Sequence, residues 1–477
     1  MDFLTTLGLE VHTELSTKTK IFCGCTTEFG GETNTHVCEI CSGMPGTLPT
    51  LNKEVVERAI RVGLATNCEI TRNNKFDRKN YFYPDLPKAY QVSQLYAPIC
   101  QNGHIDIEVN GEGKRIRIKE IHMEEDAGKL IHDPMGDCTL VDYNRCGVPL
   151  LEIVSEPDFS NGGEVLAYLT KLKSILQYTD ASDCKMEQGS LRVDVNLSIR
   201  PIGTEELGTR TEMKNINSFR SISRAIEGER RRQIDLIEDG GKVLQETRRW
   251  DDNKSESYAM RSKENAQDYR YFPEPDLVPI EIDEDWIERV KNQLPELPEE
   301  KKKCYISTYA LPEYDVDIIT GSKYLVKIFE EALEVCNEPK EVSNWIMGEV
   351  LRLATDTGTE VEDIKFDFAN LGKLIVLIKN KVINRDTAKE VFEKIFKDNI
   401  NPEEYIKENN LEMVKDDGLV EEIVKSVFEA NPKSIEEFKA GNDKVVRFLI
   451  GQCMKQLKGK ADPSQVTETV AKHLNNL

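Results

Sequence analysis

Four short segments in the first 215 residues, 7–12, 121–126, 191–199 and 209–215, set acids, or an acid and a histidine, into strand-like alternation. Side chains alternate across a strand with period two, so Glu10 and His12 share one face and Leu9 and Val11 back it. In the third segment Leu191, Val193, Val195, Leu197 and Ile199 face one way, and Arg192, Asp194 and Asn196 the other. Arg210, Glu212 and Lys214 repeat the arrangement in the fourth. Any one of these segments alone reads as an amphipathic strand with a solvated polar face. Four with the same mixed charge, gathered in one sheet, point to chemistry: carboxylates are hard ligands for Mg²⁺, and Arg or Lys suits phosphate oxygens. That is the equipment of a magnesium–nucleotide enzyme. No GxxxxGK[ST] loop is present, so it is not a P-loop kinase.

At 477 residues the chain has room for roughly three domains. No apolar run approaches the ~20 residues that span a bilayer, and the N-terminus opens into a strand pattern without a leader-like segment. These features predict a cytoplasmic protein with no membrane partner. The net charge of −22 argues against non-specific nucleic-acid binding through a global positive field. A local site remains open: residues 207–250 hold ten Lys/Arg against seven Asp/Glu, including Arg230–Arg232 and Arg248-Arg249.

Eight of the twelve cysteines are scattered and read as small buried apolar residues. The other four form Cys23-x-Cys25 and Cys38-x-x-Cys41, twelve residues apart. Two closely spaced thiolate pairs suit a tetrahedral Zn²⁺ site. Gly43 follows where a knuckle turn needs positive φ. No His, Asp or Glu is set there as an open catalytic position, so the element reads as a structural clamp.

The class is α+β. Strand patterns with one solvated face dominate residues 1–294 and predict antiparallel pairing. The first good helix is expected over 164–178, and a second runs from Ser218 to Gly240-Gly241. A proline- and charge-rich stretch, 293–303, predicts a domain boundary. Beyond it the pattern is helical, with segments 345–354, 371–378 and 387–396 after a turn at Asn384. Asn401-Pro402 marks a further break before helices 419–430, 443–457 and 463–474.

One signature is specific: Val141-Asp-Tyr-Asn-Arg-Cys-Gly-Val-Pro-Leu-Leu-Glu-Ile-Val-Ser-Glu-Pro-Asp158. It resembles the signature of the B subunits of bacterial aspartyl/glutamyl-tRNA amidotransferases. The blocks Gly8-Leu-Glu-Val-His12, Phe76-Asp-Arg-Lys-Asn-Tyr-Phe-Tyr-Pro-Asp85, Met186-Glu-Gln-Gly-Ser-Leu-Arg192, Thr211-Glu-Met-Lys-Asn215 and Asp268-Tyr-Arg-Tyr-Phe-Pro-Glu-Pro-Asp-Leu277 agree, as does the four-cysteine element. Val193 and Val195 depart from the smaller residues expected there, on the core side of the strand.

The resemblance implies a catalytic cradle over 1–294, related to the glutamine synthetase/guanidino kinase fold, a helical domain over 295–405 and a small helical tail over 406–477 that binds tRNA. It implies ATP-dependent phosphorylation of the side-chain carboxylate of Glu-tRNA(Gln) or Asp-tRNA(Asn), then amidation by ammonia. It also implies Zn²⁺ on Cys23, Cys25, Cys38 and Cys41. Glu10, His12, Glu125, Asp194 and Glu212 become the Mg²⁺ and phosphoryl-site residues, with His12 either a metal ligand or a hydrogen-bond partner of one. Arg78, Lys79, Lys88, Arg192, Arg210 and Lys214 become candidates for binding ATP phosphates. The chain has no Gly-Gly-Ser-Ser-Gly amidase signature. The resemblance therefore implies two partners in a heterotrimer, a glutaminase (amidase) known as the A subunit, with a small C subunit beside it. In the tail, Lys444, Arg447, Lys455, Lys458 and Lys460 cluster around Gly451 and Gly459 as the expected tRNA contact. A competing reading, a non-catalytic zinc-containing tRNA-binding scaffold, leaves the repeated carboxylates unexplained, because acids repel phosphate unless a cation intervenes.

Overall fold

A computed structural model of the chain describes residues 2–133, 136–262, 268–413, 417–439, 444–457 and 463–475. They form two compact units, Met1–Pro298 and Glu299–Leu477. Among the described residues no helix is long and apolar enough to cross a membrane.

The first unit opens with β1 (Phe3–Glu14), the four-cysteine segment and α1 (Lys53–Ala65). Short strands β2 (Glu69–Ile70), β3 (Asn73–Asn74), β4 (Asp77–Asn80) and β5 (Tyr90–Ser93) lead to the long hairpin β6 (Cys100–Val109) and β7 (Glu112–Glu125). A hairpin, β8 (Lys129–His132) and β9 (Thr139–Asp142), precedes β10 (Pro149–Ser155) and α2 (Gly162–Tyr178). Then come β11 (Leu191–Pro201), β12 (Thr211–Lys214), α3 (Phe219–Glu238), β13 (Glu246–Asp251) and β14 (Glu256–Ser262). The unit closes with β15 (Phe272–Pro273), β16 (Ile280–Glu281) and α4 (Glu284–Lys291).

Nine strands make one sheet in the order β14-β13-β12-β11-β1-β10-β7-β6-β2. All four acid-bearing segments lie in it. Pairing is antiparallel except between β12 and β13, which run parallel. Helix α3 supplies the crossover that a parallel pair requires. The apolar residues of each strand face one way: Leu7, Leu9 and Val11 of β1 and Val193, Val195 and Leu197 of β11 are buried. Helices α1, α2 and α3 share that core through Val56, Ile60, Leu169, Leu172 and Ile222. The polar face of the central strands is left open. A three-stranded sheet, β15-β4-β5, stands beside it, with β5 against β7.

Both expected helices form. Ser218 caps α3 by accepting from the Ser221 N–H, and Asn161 caps α2 through Glu164. Helix α1 precedes both and was not expected, so 164–178 is not the first helix. Its signals are the Asn52 cap and a buried stripe of Val55, Val56, Ala59, Ile60 and Val62.

The second unit is helical throughout its described residues, from α5 (Pro298–Tyr309) onward. Asn384 and Asn401 are helix caps, accepting from the N–H groups of Thr387 and Glu403. Position 405 lies within the helix Pro402–Glu408. Residues Val420, Val424, Leu449, Cys453, Val466 and Val470 form a separate apolar cluster in the tail. Gly451 lies inside the helix Lys444–Gln456, close to the expected helix 443–457. An N–H in mid-helix is committed to the helix ladder and is unavailable to a ligand. Lys458, Gly459 and Lys460 lie outside the described residues.

Gly208 shows how tightly the path to β12 is fixed. A Cβ there would stand 1.9 Å from the Ile199 carbonyl oxygen, a backbone atom of β11 that cannot swing aside. Gly208→Ala is therefore expected to destabilise the first unit by roughly 1–3 kcal/mol, as overpacking does. The check is the thermal unfolding midpoint, which should fall by several degrees; an unchanged midpoint would refute the close approach.

Candidate active site

Register turns the alternating residues into a grid on the open face. Glu10 stands opposite Asp194, and His12 opposite Arg192 on one side and Glu152 on the other. Glu152 in turn faces His122, and Asn196 faces Glu212. Two three-residue clusters result, His12–Glu124–Glu152 and Glu10–Asp194–Glu212, each with one ligand atom per residue within 4.8 Å of the others. His12 Nε2 is 3.7 Å from Glu124 Oε1 and 3.8 Å from Glu152 Oε1.

The electrostatics favour a cation. Burial, then the Glu152 charge, pushes Glu124 up to about 8. Burial likewise raises Glu152 and Asp194, with Glu10 a further like charge on each. Burial and then the Arg192 and Lys214 charges push His12 down to about 3. The imidazole is therefore neutral at pH 7 and keeps a lone pair on one ring nitrogen, as a metal ligand must. Grouped hard oxygens, one neutral imidazole and an excess of negative charge fit Mg²⁺.

The structure divides the expected residues. Glu10, His12, Asp194 and Glu212 converge as expected. Glu125 does not: Ile121 and Met123 point to the core, so Glu125 also leaves by that side of β7 while Glu124 faces His12. The Glu125 carboxylate accepts from Lys88 Nζ at 2.7 Å and from the Val92 N–H at 2.8 Å. Lys88 is thereby drawn away from the open face. Arg78 is likewise committed, paired with Glu274 at 2.7 Å and Asp276 at 2.8 Å and stacked 4.2 Å from the Tyr90 ring. Arg192 pairs with Asp126 at 2.9 Å. Burial opposes ionisation of Asp126, but Arg192 and Arg145 outweigh it and hold its pKa below the usual carboxylate range. Lys214 bonds Asp194 and lies 3.0 Å from Glu212. Lys79 and Arg210 line the cavity over the sheet, about 520 Å³ in volume and of a size for a small ligand.

Sequence reading missed Glu124, Glu152, His122 and Lys119. Parity along β7 contained the signal for Glu124, and Glu152 is the one acid in the apolar run Leu150–Val154. For Lys119 there was no signal. A register shift where Val154 pairs with Glu120 but Ser155 with Ile118 is a β-bulge, and Lys119 and Glu120 both line the cavity because of it.

The four cysteines also converge. Cys41 Sγ lies 3.9 Å from Cys38 Sγ and 4.0 Å from Cys25 Sγ. Tetrahedral Zn–S bonds of ~2.3 Å require sulfur–sulfur edges of about 3.8 Å, so the set fits zinc. Lys20, wholly buried, points its ammonium at Cys41 Sγ from 3.5 Å, and the Cys38 N–H donates to the same sulfur. A buried cation needs a counter-charge, which thiolates provide. Gly43 has φ +72°, as the turn demanded.

Comparison with known proteins agrees with this geometry. Residues 5–288 match the model of the GatB/GatE catalytic domain, and 327–474 that of the GatB domain. The B subunit of the aspartyl/glutamyl-tRNA(Asn/Gln) amidotransferase of Lachnoclostridium phytofermentans is 63% identical over 471 residues, 99% of this chain and 98% of that protein. The protein of the same name from Caldicellulosiruptor bescii is 57% identical over 480 residues, the full length of both. The chain belongs to this family of amidotransferase B subunits. Both carboxylate clusters and the four cysteines lie within the part matched to the family's catalytic domain.

Purified protein of this family member is expected to carry about one zinc per chain, and Cys38→Ser to lose it. Elemental analysis is the check; a disulfide within either pair, or zinc-free fresh protein, would refute the site.

Proposed function

We propose that the chain is the carboxylate-activating component of a glutamine-dependent tRNA amidotransferase. The observation that carries this is the pair of carboxylate clusters on one sheet face, beside a cavity that Lys79 and Arg210 line. The side-chain carboxylate of Glu-tRNA(Gln) or Asp-tRNA(Asn) attacks the γ-phosphorus of ATP, giving an acyl phosphate and ADP. Ammonia then adds to the acyl carbon and phosphate leaves, giving the amide and inorganic phosphate. Without activation the leaving group would be oxide, which is why ATP is needed. Mg²⁺ bound at the two clusters would spread and neutralise charge on the phosphates. Glu10, His12, Glu124, Glu152, Asp194 and Glu212 are its proposed ligands. Lys79 and Arg210 orient phosphate oxygens from the cavity wall, and Arg192 and Lys214 hold the neighbouring acids in place.

The same reading makes the first unit a cradle akin to the glutamine synthetase/guanidino kinase fold and gives Cys23, Cys25, Cys38 and Cys41 to structural Zn²⁺. Ammonia comes from the glutaminase partner, which the small C subunit joins to this chain, through a closed channel that keeps it from leaking. The tail after the helix Pro402–Glu408 reaches the tRNA, with Arg447 and Lys455 as candidate contacts. A reaction drawing on ATP and aminoacyl-tRNA belongs to the cytoplasm.

Asp194→Ala and Glu124→Ala should each lower amidation of misacylated tRNA by at least about a hundredfold in the assembled complex. Glutamine hydrolysis by the partner should persist, since its residues lie on another chain. Wild-type amidation by either variant would sink the assignment. A scaffold without catalytic function predicts no tRNA-dependent ATP hydrolysis that responds to these substitutions.

Deleting residues 417–477 should raise the apparent KM for misacylated tRNA and leave tRNA-independent glutamine hydrolysis intact. If the shortened complex bound and amidated its tRNA as well as the intact one, the tail would be packing and not recognition.

A further inference from the structure

Three donors hold the carboxylates of the Glu10–Asp194–Glu212 cluster, and Glu212 meets two of them. Lys214 bonds Asp194, and its ammonium also lies 3.0 Å from Glu212 Oε1. Asn196 Nδ2 donates to Glu10 Oε1 at 2.9 Å, and Thr247 Oγ1 donates to Glu212 Oε2 at 2.7 Å. The last two donors are neutral, and neither residue offers the cluster a charged ligand.

Strand register brings both of them there. Thr247 is the partner of Glu212 across the parallel β12–β13 pair. It is buried, and a β-branched side chain has a stiff χ1, so its hydroxyl is aimed. Its one proton goes to Glu212. Asn196 stands between Glu212 on β12 and Gly8 on β1. Gly8 has no side chain to fill the space opposite, and the amide reaches diagonally past it to Glu10. An acceptor carboxylate requires the NH₂ end of the amide to face it.

We propose that Asn196 and Thr247 are positioning residues for the divalent cation: each pins one oxygen of a liganding carboxylate and so sets where the other stands, which at Glu212 is the oxygen shared with the Lys214 ammonium. The inference rests on the reading of Glu10, Asp194 and Glu212 as a cation site. A neutral donor suits the task better than a second Lys or Arg, because it fixes geometry without cancelling the negative charge that attracts the ion. Partners that orient a ligand in this way are worth about 10–100-fold in metal affinity.

The test uses the assembled complex with Mn²⁺ as the probe, free Mn²⁺ being read by electron paramagnetic resonance. Thr247→Val and Asn196→Leu should each weaken Mn²⁺ binding about tenfold. The apparent KM for Mg²⁺ in tRNA-dependent ATP hydrolysis should rise in parallel, while the KM for misacylated tRNA stays put. Thr247→Ser keeps the hydroxyl and loses only the methyl, so it should restore Mn²⁺ affinity. If it bound Mn²⁺ as weakly as Thr247→Val, packing of the methyl would explain the effect and the proposal would fail. Asp194→Asn, run alongside, should remove one bound Mn²⁺. Loss of that ion in Asp194→Asn with unchanged affinity in Thr247→Val and Asn196→Leu overturns the positioning role alone. Undiminished binding by Asp194→Asn overturns the cation site itself.

Discussion

Mutual repulsion among buried carboxylates is the constraint on which the catalytic unit depends. Two unit charges 4 Å apart interact with about 4 kcal/mol at an effective dielectric constant of 20. Glu10, Glu124, Glu152, Asp194 and Glu212 crowd one face at such separations. Arg192, Lys214 and Lys79 stand among or beside them and leave an excess of acid. A single group cannot escape by rotating away, because strand register fixes each Cβ. The face relaxes either by protonation, the direction in which burial pushes Glu124, Glu152 and Asp194, or by binding cations. At neutral pH a divalent ion answers the crowding most directly.

Holding repelling groups together requires a rigid template, and the nine-stranded sheet supplies it. Its apolar side is sealed by α1, α2 and α3, so strand slippage by one residue would bury the acids and expose Leu9, Val11, Val193 and Val195. The core thus enforces the register that the active face needs. Departures from regular pairing occur where the grid needs a correction. The bulge at Lys119–Glu120 aims two consecutive side chains into the cavity. The parallel β12–β13 pair sets Thr247 beside Glu212.

Much of this was legible in the sequence, because alternation alone assigns a side chain to a face. Glu10, His12, Asp194, Glu212 and Lys214 were readable from it, as were the helix start at Ser218, the breaks at Asn384 and Asn401, which prove to be helix caps, and the thiolate spacing. The error at Glu125 came from letting the family resemblance override the parity of Ile121 and Met123. Arg78 and Lys88 misled for a different reason. Their partners, Glu274 with Asp276 and Glu125, are 37 to 198 residues away, and no local pattern reveals a long-range ion pair. The bulge at Lys119 is a property of pairing between strands and leaves no trace in either strand alone. Helix α1 was overlooked although Asn52 and its apolar stripe announce it.

A chain that holds both of the proposed metals would also have to keep them apart. Soft thiolates select zinc, and hard carboxylates with one imidazole select magnesium, so donor chemistry does most of the sorting. Local charge does the rest. Lys20 buries an ammonium against Cys41, which would favour a doubly negative zinc tetrathiolate over protonated thiols. On the sheet face the excess charge is carboxylate, with His12 kept neutral by burial and by the Arg192 and Lys214 charges. A thiol in that face would invite zinc into a site where tight binding and fixed tetrahedral geometry would block nucleotide exchange. The strands that carry the two clusters contain none: the buried cysteines of the first unit outside the four-cysteine element, Cys68, Cys100, Cys146 and Cys184, lie outside both carboxylate clusters. Separation of soft from hard donors is therefore built into the chain's layout: the clustered thiols lie in the segment between β1 and α1, and the clustered carboxylates on strands of the sheet.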